Sequence, residues 1–228
     1  ITLQHIIETI TGQSLRDFAK ENIFDILGMQ YTDYLPTIQQ QDGKWINTVA
    51  CPWMDRIAPT EKQKDGSVLC GQVHDPLARI LNGGISGNAG IFSNANDIGI
   101  LAAALLNGGE YNGRRILSPL GVKTMCTVPR ELTAFGRTPG WDIFSPYASN
   151  KGDLFSPNTF GHTGYTGTSI IIDPDNDTAV ILLVNAVHPE DRHSIVRLRS
   201  LVANAVAASI CPPAQVYTDH YYKRFLQF

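Results

Sequence analysis

Residues 168–172 are β-branched and apolar apart from Ser169, and the five that follow, Asp173-Pro174-Asp175-Asn176-Asp177, are strong turn formers. A second apolar run occupies 179–184. Together these segments predict an antiparallel hairpin with a roughly five-residue loop, and so a chain organised around an antiparallel sheet. Its entry is Gly161-His162-Thr163-Gly164-Tyr165-Thr166-Gly167-Thr168, with a glycine at every third position. Glycine removes side chains where another backbone or a ligand must come close, and it leaves backbone N–H groups reachable. On the residues alone two readings stand, a bulged or twisted edge strand and one wall of a ligand site.

The first half of the chain reads as helical. Leu3, Ile6, Ile7 and Ile10 form an i, i+3, i+4, i+7 stripe that stops near Gly12, and Ser14 caps a second helix with Leu15, Phe18, Ala19 and Ile23 on one face. Residues 30–72 hold few periodic runs, and a loop of that length in a compact domain usually lines or covers a site. Helices are predicted over 75–81, 94–106 (stopped by Gly108-Gly109) and 118–126. A last one lies within 189–210, with Ile195, Leu198, Leu201, Val202, Ala205 and Val206 against the sheet. No interior linker divides the chain. The expectation is one α+β domain, mostly helix and loop over 1–130, with sheet strands and a C-terminal helix over 131–228.

Composition narrows the function classes. A 228-residue chain that is 43% apolar can bury a sizeable core, and a formal net charge of −3 with no Lys/Arg cluster excludes a nucleic-acid partner. No run approaches 18 apolar residues, so no transmembrane segment is expected. The four cysteines, Cys51, Cys70, Cys126 and Cys211, have no CxxC spacing and no His cluster beside them, so neither a metal nor another cofactor is expected. Free thiols are the default expectation; a pair such as Cys51 with Cys70 fits an oxidising compartment.

Several stretches, in order, carry a family resemblance. Ile10-Thr11-Gly12-Gln13-Ser14-Leu15, Ile23-Phe24-Asp25-Ile26-Leu27-Gly28-Met29, Ile57-Ala58-Pro59-Thr60-Glu61 and Gly71-Gln72-Val73-His74-Asp75 lead to Gly84-Ile85-Ser86-Gly87-Asn88-Ala89-Gly90-Ile91-Phe92-Ser93, Leu106-Asn107-Gly108-Gly109 and the 160–168 segment. They resemble the serine β-lactamase and penicillin-binding-protein-like hydrolases, in the class C, esterase or D-aminopeptidase style, where the third motif often reads His-Thr-Gly. The resemblance implies a β-lactamase/transpeptidase-like fold and acyl-enzyme chemistry on an ester, amide or cell-wall peptide. It also implies a bacterial periplasm or envelope location. It assigns the Tyr165 backbone N–H to an oxyanion hole and His162 to the substrate or proton relay. Thr163, Gly164 and Thr166 fall to substrate binding. A neutral imidazole where the lactamases carry lysine holds a substrate carboxylate less strongly, which argues mildly against β-lactam hydrolysis.

The family's nucleophile helix, Ser-x-x-Lys, occurs nowhere in the 228 residues, and neither does Tyr-x-Asn. Ser194-Ile195-Val196-Arg197 puts a guanidinium that cannot act as base where lysine belongs. Ser156-Pro157-Asn158 is too close to His162 to be the second motif, and Gly84-Ile85-Ser86-Gly87-Asn88 reads as structural. Asp75 before Pro76 reads as a helix start, leaving His74 as a weaker site candidate, and His188-Pro189 reads as a turn. Relatives carry Gly-His-Ala-Gly at 87–90 and Asn-Arg at 185–186, so Asn88 and Ala186 are departures that point to altered specificity or reduced activity. The expectation is a C-terminal part whose Ile1 follows the Tyr-x-Asn loop, inactive alone, with its sheet completed by dimerisation or by an upstream segment. The alternative is a non-catalytic domain that binds cell-wall peptide or packs on a partner.

Overall fold

The computed structural model describes residues 1–191 and 194–210. Helix α1 (Thr2–Thr11) ends at Gly12, whose φ of 69° turns the chain left-handed while its N–H reaches Glu8 O at 2.9 Å. Ser14 caps α2 (Leu15–Ala19) by accepting from the Asp17 N–H, and a π-helical turn over Lys20–Phe24 continues into α3 (Asp25–Leu27). Six short strands follow: β1 (Asp33–Tyr34), β2 (Thr37–Gln39), β3 (Trp45–Asn47), β4 (Glu61–Lys62), β5 (Val68–Leu69) and β6 (Ile91–Phe92). β2 pairs with β3, β4 with β5, and β1 with β6. Sequence periodicity could not reveal them, because two or three residues do not complete a repeat.

Asn94 caps α4 (Ala95–Leu106) through the Asp97 N–H. The hairpin β7 (Glu110–Tyr111) and β8 (Arg114–Arg115) comes next, then α5 (Pro119–Cys126), capped by Ser118. In place of the helix read over 75–81 stands a π-helical turn at Leu77–Leu81.

The sheet that carries the site holds β9 (Phe160–Thr163), β10 (Ser169–Asp173) and β11 (Thr178–Leu182), in the order β11-β10-β9 and antiparallel throughout. Asp173 pairs directly with Thr178, so the hairpin loop has four residues rather than five. A larger difference concerns the glycine-rich octapeptide. Its first residues belong to a separate strand, with His162 opposite Ile170 and Thr163 opposite Ser169, and 164–168 form the turn between β9 and β10. The outer edge of β9 is covered by Asp142, which exchanges two backbone hydrogen bonds with Gly161 at 2.9 and 3.0 Å.

Both faces of this sheet are packed. Adjacent strand residues point to opposite sides, so Ile172 joins Phe160, Ala102, Leu105, Val122 and Ile143 under α4 and α5. Ile171 joins Phe155 and Ala203 under α6 (Val196–Ser209). The buried face of α6 runs through Arg199 and Ala203 towards Val206 and Ile210, and Leu198 and Leu201 of the sequence stripe are exposed. Hydrophobicity chose the wrong face because an arginine occupies the inward position.

Helix α1 buries none of its residues; Ile7 packs on the α2–α3 core, but Leu3 and Ile10 are 71% and 78% exposed. Among the described residues no strand pairs with the free edge of β11. Exposed apolar stripes and open strand edges favour association. We expect light scattering to show self-association at micromolar concentration, and a clean monomer would count against this. Among the described residues no helix is long and apolar enough to cross a membrane.

Candidate active site

The turn after β9 is held from within and from α6. Inside it, Gly164 N–H donates to Thr168 O at 2.8 Å and Gly167 N–H to Gly164 O at 3.1 Å. Two glycines are demanded by the backbone: a Cβ on Gly161 would lie 2.3 Å from Ile170 O, and Gly167 has φ of 124° with Val184 O 2.6 Å from where its Cβ would stand. From α6, the buried Arg199 donates to Gly164 O (2.8 Å), Thr168 O (3.1 Å) and Gly167 O (3.3 Å). The Tyr165 N–H has no acceptor among the described residues.

His162 and Thr163 stand at the end of β9. His162 Nδ1 lies 2.9 Å from Thr163 O, and since a carbonyl only accepts, the proton sits on Nδ1. Its Nε2 lies 3.5 Å from Arg137 Nη2, a donor, so the neutral Nδ1–H form satisfies both contacts. Arg137 is gripped by Asp142 through Nε–Oδ1 at 2.7 Å and Nη2–Oδ2 at 3.2 Å, and Ser145 donates to the same carboxylate at 2.6 Å. Asp142 is only 2% exposed. A forked, charge-assisted pair of this kind fixes the guanidinium plane.

These groups border a cleft of about 670 Å³, whose walls include Arg137, His162, Thr163, Gly164, Tyr165, Ser194 and, from α6, Arg199. The structure thus brings four of the five sequence candidates together. Thr166 is not among the lining residues; its carbonyl accepts from Ala186 N–H at 2.7 Å. The Tyr165 ring stacks on His74 at 5.4 Å and 14°, and its hydroxyl donates to Asp191 at 2.6 Å, which raises the phenol pKa. His74 Nδ1 lies 2.8 Å from Glu61 Oε2 without hydrogen-bond alignment, a contact that attracts when the ring is protonated. The 61–74 segment therefore reaches the rim of the cleft, where His74, the weaker candidate of the sequence, meets Tyr165.

The other serine motifs are structural. Ser86 is 1% exposed and bonded to Asn82 and Asn88, and Ser156 donates to the buried Asp173 at 2.7 Å. Asp75 accepts from Ala78 N–H at the start of the 77–81 turn. Asn88 reaches Asp75, and Asn185 donates to Pro59 O. Cys51, Cys70 and Cys126 are free thiols, burial pushing Cys126 up to about 11; Cys211 lies outside the described residues. Among the described residues no cluster of three or more metal-ligating side chains occurs.

Sequence reading missed Arg137, Asp142 and Arg199. Arg199 left one signal, a cation at the register position where α6 turns inward. Arg137 and Asp142 left none, because their meeting with His162 depends on a bridge to β9.

Comparison with known proteins identifies the family and the fold. The family model described as beta-lactamase matches residues 1–204. An Escherichia coli K12 protein provisionally named D-alanyl-D-alanine carboxypeptidase is 36% identical over 200 residues, covering 82% of this chain and 43% of that protein. A Salmonella gallinarum protein of the same name is 34% identical over the same shares. Among solved structures, simvastatin synthase from Aspergillus terreus aligns with a TM-score of 0.59 at 16% identity, over 92% of this chain and 54% of that one. A Mycobacterium bovis beta-lactamase aligns at 0.56 and 19%, over 90% and 60%. A penicillin-binding protein homologue from Caulobacter crescentus aligns at 0.55 and 17%, over 90% and 55%. At such identities these structures speak for the fold, an α+β β-lactamase/transpeptidase-like architecture. The chain spans less than half the length of the curated relatives it matches, 43% of each. With a family model filled from residue 1 to residue 204 and the His162-Thr163-Gly164 strand end at a cleft, the chain belongs to the beta-lactamase family of serine hydrolases.

Proposed function

We propose that this chain forms the substrate-binding and oxyanion wall of a serine hydrolase that transfers acyl groups from an ester, amide or cell-wall peptide in the bacterial envelope. The observation that carries this reading is the Tyr165 N–H, a backbone donor without an acceptor among the described residues, in a turn whose carbonyls are held by Arg199. A donor held in place before the charge arrives needs no reorganisation when a carbonyl oxygen becomes an oxyanion, and such a donor contributes a factor of about 100 to 1000 in rate. The Thr163 hydroxyl, on the same strand end, is placed to donate to a substrate carbonyl or carboxylate. His162 Nε2 faces the Arg137 guanidinium at 3.5 Å, so the pair presents a cation at the strand end to a carbonyl or carboxylate of the substrate. The carboxypeptidase names of the relatives favour a peptide of the cell wall, and with it the envelope.

The wall does not supply a nucleophile. With no Ser-x-x-Lys in the 228 residues, acyl transfer requires a serine activated by a neighbouring base from outside them. A fluorophosphonate probe, which labels activated serines, is expected to leave this chain unmodified. Stoichiometric labelling of any serine here would overturn the assignment of the chain to one wall. In the genome, a Ser-x-x-Lys followed roughly 90–110 residues later by Tyr-x-Asn upstream of this chain is the matching expectation. Absence of both would end the enzyme reading.

A further inference from the structure

Arg199 is a buried cation at the turn that carries the oxyanion donor. It is 9% exposed, burial lowers its pKa, and no carboxylate pairs with it among the described residues. Burying a guanidinium without a counter-ion is costly unless its hydrogen bonds compensate. Among the described residues its hydrogen-bond partners are carbonyls of one turn, Gly164, Gly167 and Thr168. A guanidinium remains charged under any ordinary condition, so this turn is permanently backed by a positive charge.

The peptide unit that begins with Gly164 C=O ends with Tyr165 N–H. It is planar and trans, so the C=O and N–H bonds point in opposite directions. Arg199 Nη2 at 2.8 Å draws the carbonyl towards α6, and the same plane then aims the Tyr165 N–H away from the helix. The cation also polarises the unit, since electron density drawn to the oxygen leaves the nitrogen a stronger donor.

We propose that Arg199 is a positioning residue for the oxyanion donor, fixing the plane of the Gly164–Tyr165 peptide and strengthening its N–H through the carbonyl it holds. This rests on the oxyanion reading of Tyr165 but is testable without substrate. In base-catalysed hydrogen exchange hydroxide removes the Tyr165 amide proton and becomes water. The electron pair left on nitrogen delocalises onto Gly164 O, and a deuteron from solvent completes the exchange. Arg199 stabilises that transient anion as it would strengthen the donor in catalysis.

The experiment is deuterium exchange at the Tyr165 amide, followed by NMR on the full chain at fixed pH, with thermal unfolding recorded alongside. Arg199→Met removes the charge at similar volume and is expected to slow exchange about tenfold, one pKa unit at the amide. An anchor that merely held the turn closed would do the reverse, because loosening speeds exchange. Arg199→Lys keeps the charge and is expected to exchange within about threefold of the parent. Exchange in the methionine variant as fast as the parent or faster overturns the proposal, and so does a lysine variant slowed tenfold. Should the methionine variant not fold, the lysine variant decides alone by the same limits. Failure here removes Arg199 from the site and leaves the oxyanion reading to the labelling experiment.

Discussion

Replacing Phe160 with alanine is expected to lower the stability of the fold by about 3–5 kcal/mol, the cost of emptying a large aromatic side chain from a packed core. Phe160 is 4% exposed, packs with Ile172 and Ala102, and lies 5.3 Å from the Trp141 ring at a tilt of 55°. It opens β9, two residues before His162, so the cavity would also release the strand that presents the site. Chemical denaturation at an unchanged m-value checks the size of the effect, and a loss below about 1 kcal/mol would mean that α4 and α5 do not pack on this face. The expected secondary sign is an altered His162 ring signal in the variant, because β9 is braced there by Phe160 and by the Asp142 bridge together.

The second large effect is at Asp173, a 1% exposed carboxylate at the β10–β11 turn. Burial by itself would raise its pKa. The Ser156 hydroxyl and amide, the Asn176 side chain and the Asp175 amide, at 2.7, 3.0, 2.7 and 3.0 Å, outweigh that and hold it below the ordinary value. Asp173→Ala leaves those donors without their acceptor and is expected to cost about 3 kcal/mol near neutral pH. The pH dependence follows from the sign of the shift. A carboxyl whose folded pKa is depressed contributes stability that is fully present above its unfolded value of about 3.9, and that contribution is lost as pH falls through the folded value. Unfolding curves at pH 7 and pH 3 should therefore converge for the parent and Asp173→Ala. A difference that stays constant between the two pH values would show that the carboxylate's charge is not what holds the turn.

Both sites show how local and distant information divide in this chain. The strand character of 169–173 and 178–182 was readable because β-branched runs flank a turn of Asp, Pro and Asn, all of them local preferences. The helix cap at Ser14 was readable for the same reason, since it bonds an amide three residues on, as Asn94 and Ser118 do at the starts of α4 and α5. The short pairings between residues 33 and 92 were not. β1 and β6 meet across more than fifty residues, and each is two residues long, too short to carry a pattern. The inward face of α6 was misread because apolar periodicity ranks Leu198 and Leu201 above an arginine, whereas three carbonyls of the 164–168 turn make Arg199 the better buried residue.

By itself the sequence determined the family, the antiparallel hairpin and the place in the chain of the candidate site, because the residues of 160–168 are contiguous and their types are specific. It also determined that no Ser-x-x-Lys accompanies them. Tertiary structure decided what those residues face. It made the octapeptide a turn between two strands rather than the start of one, and set Arg137 and Asp142 beside His162. It also stacked His74 on Tyr165, and set the buried Arg199 against three carbonyls of the 164–168 turn. Each of those depends on groups tens of residues apart being held at hydrogen-bond distance by packing on both faces of the sheet, and no local preference in the chain encodes such a distance.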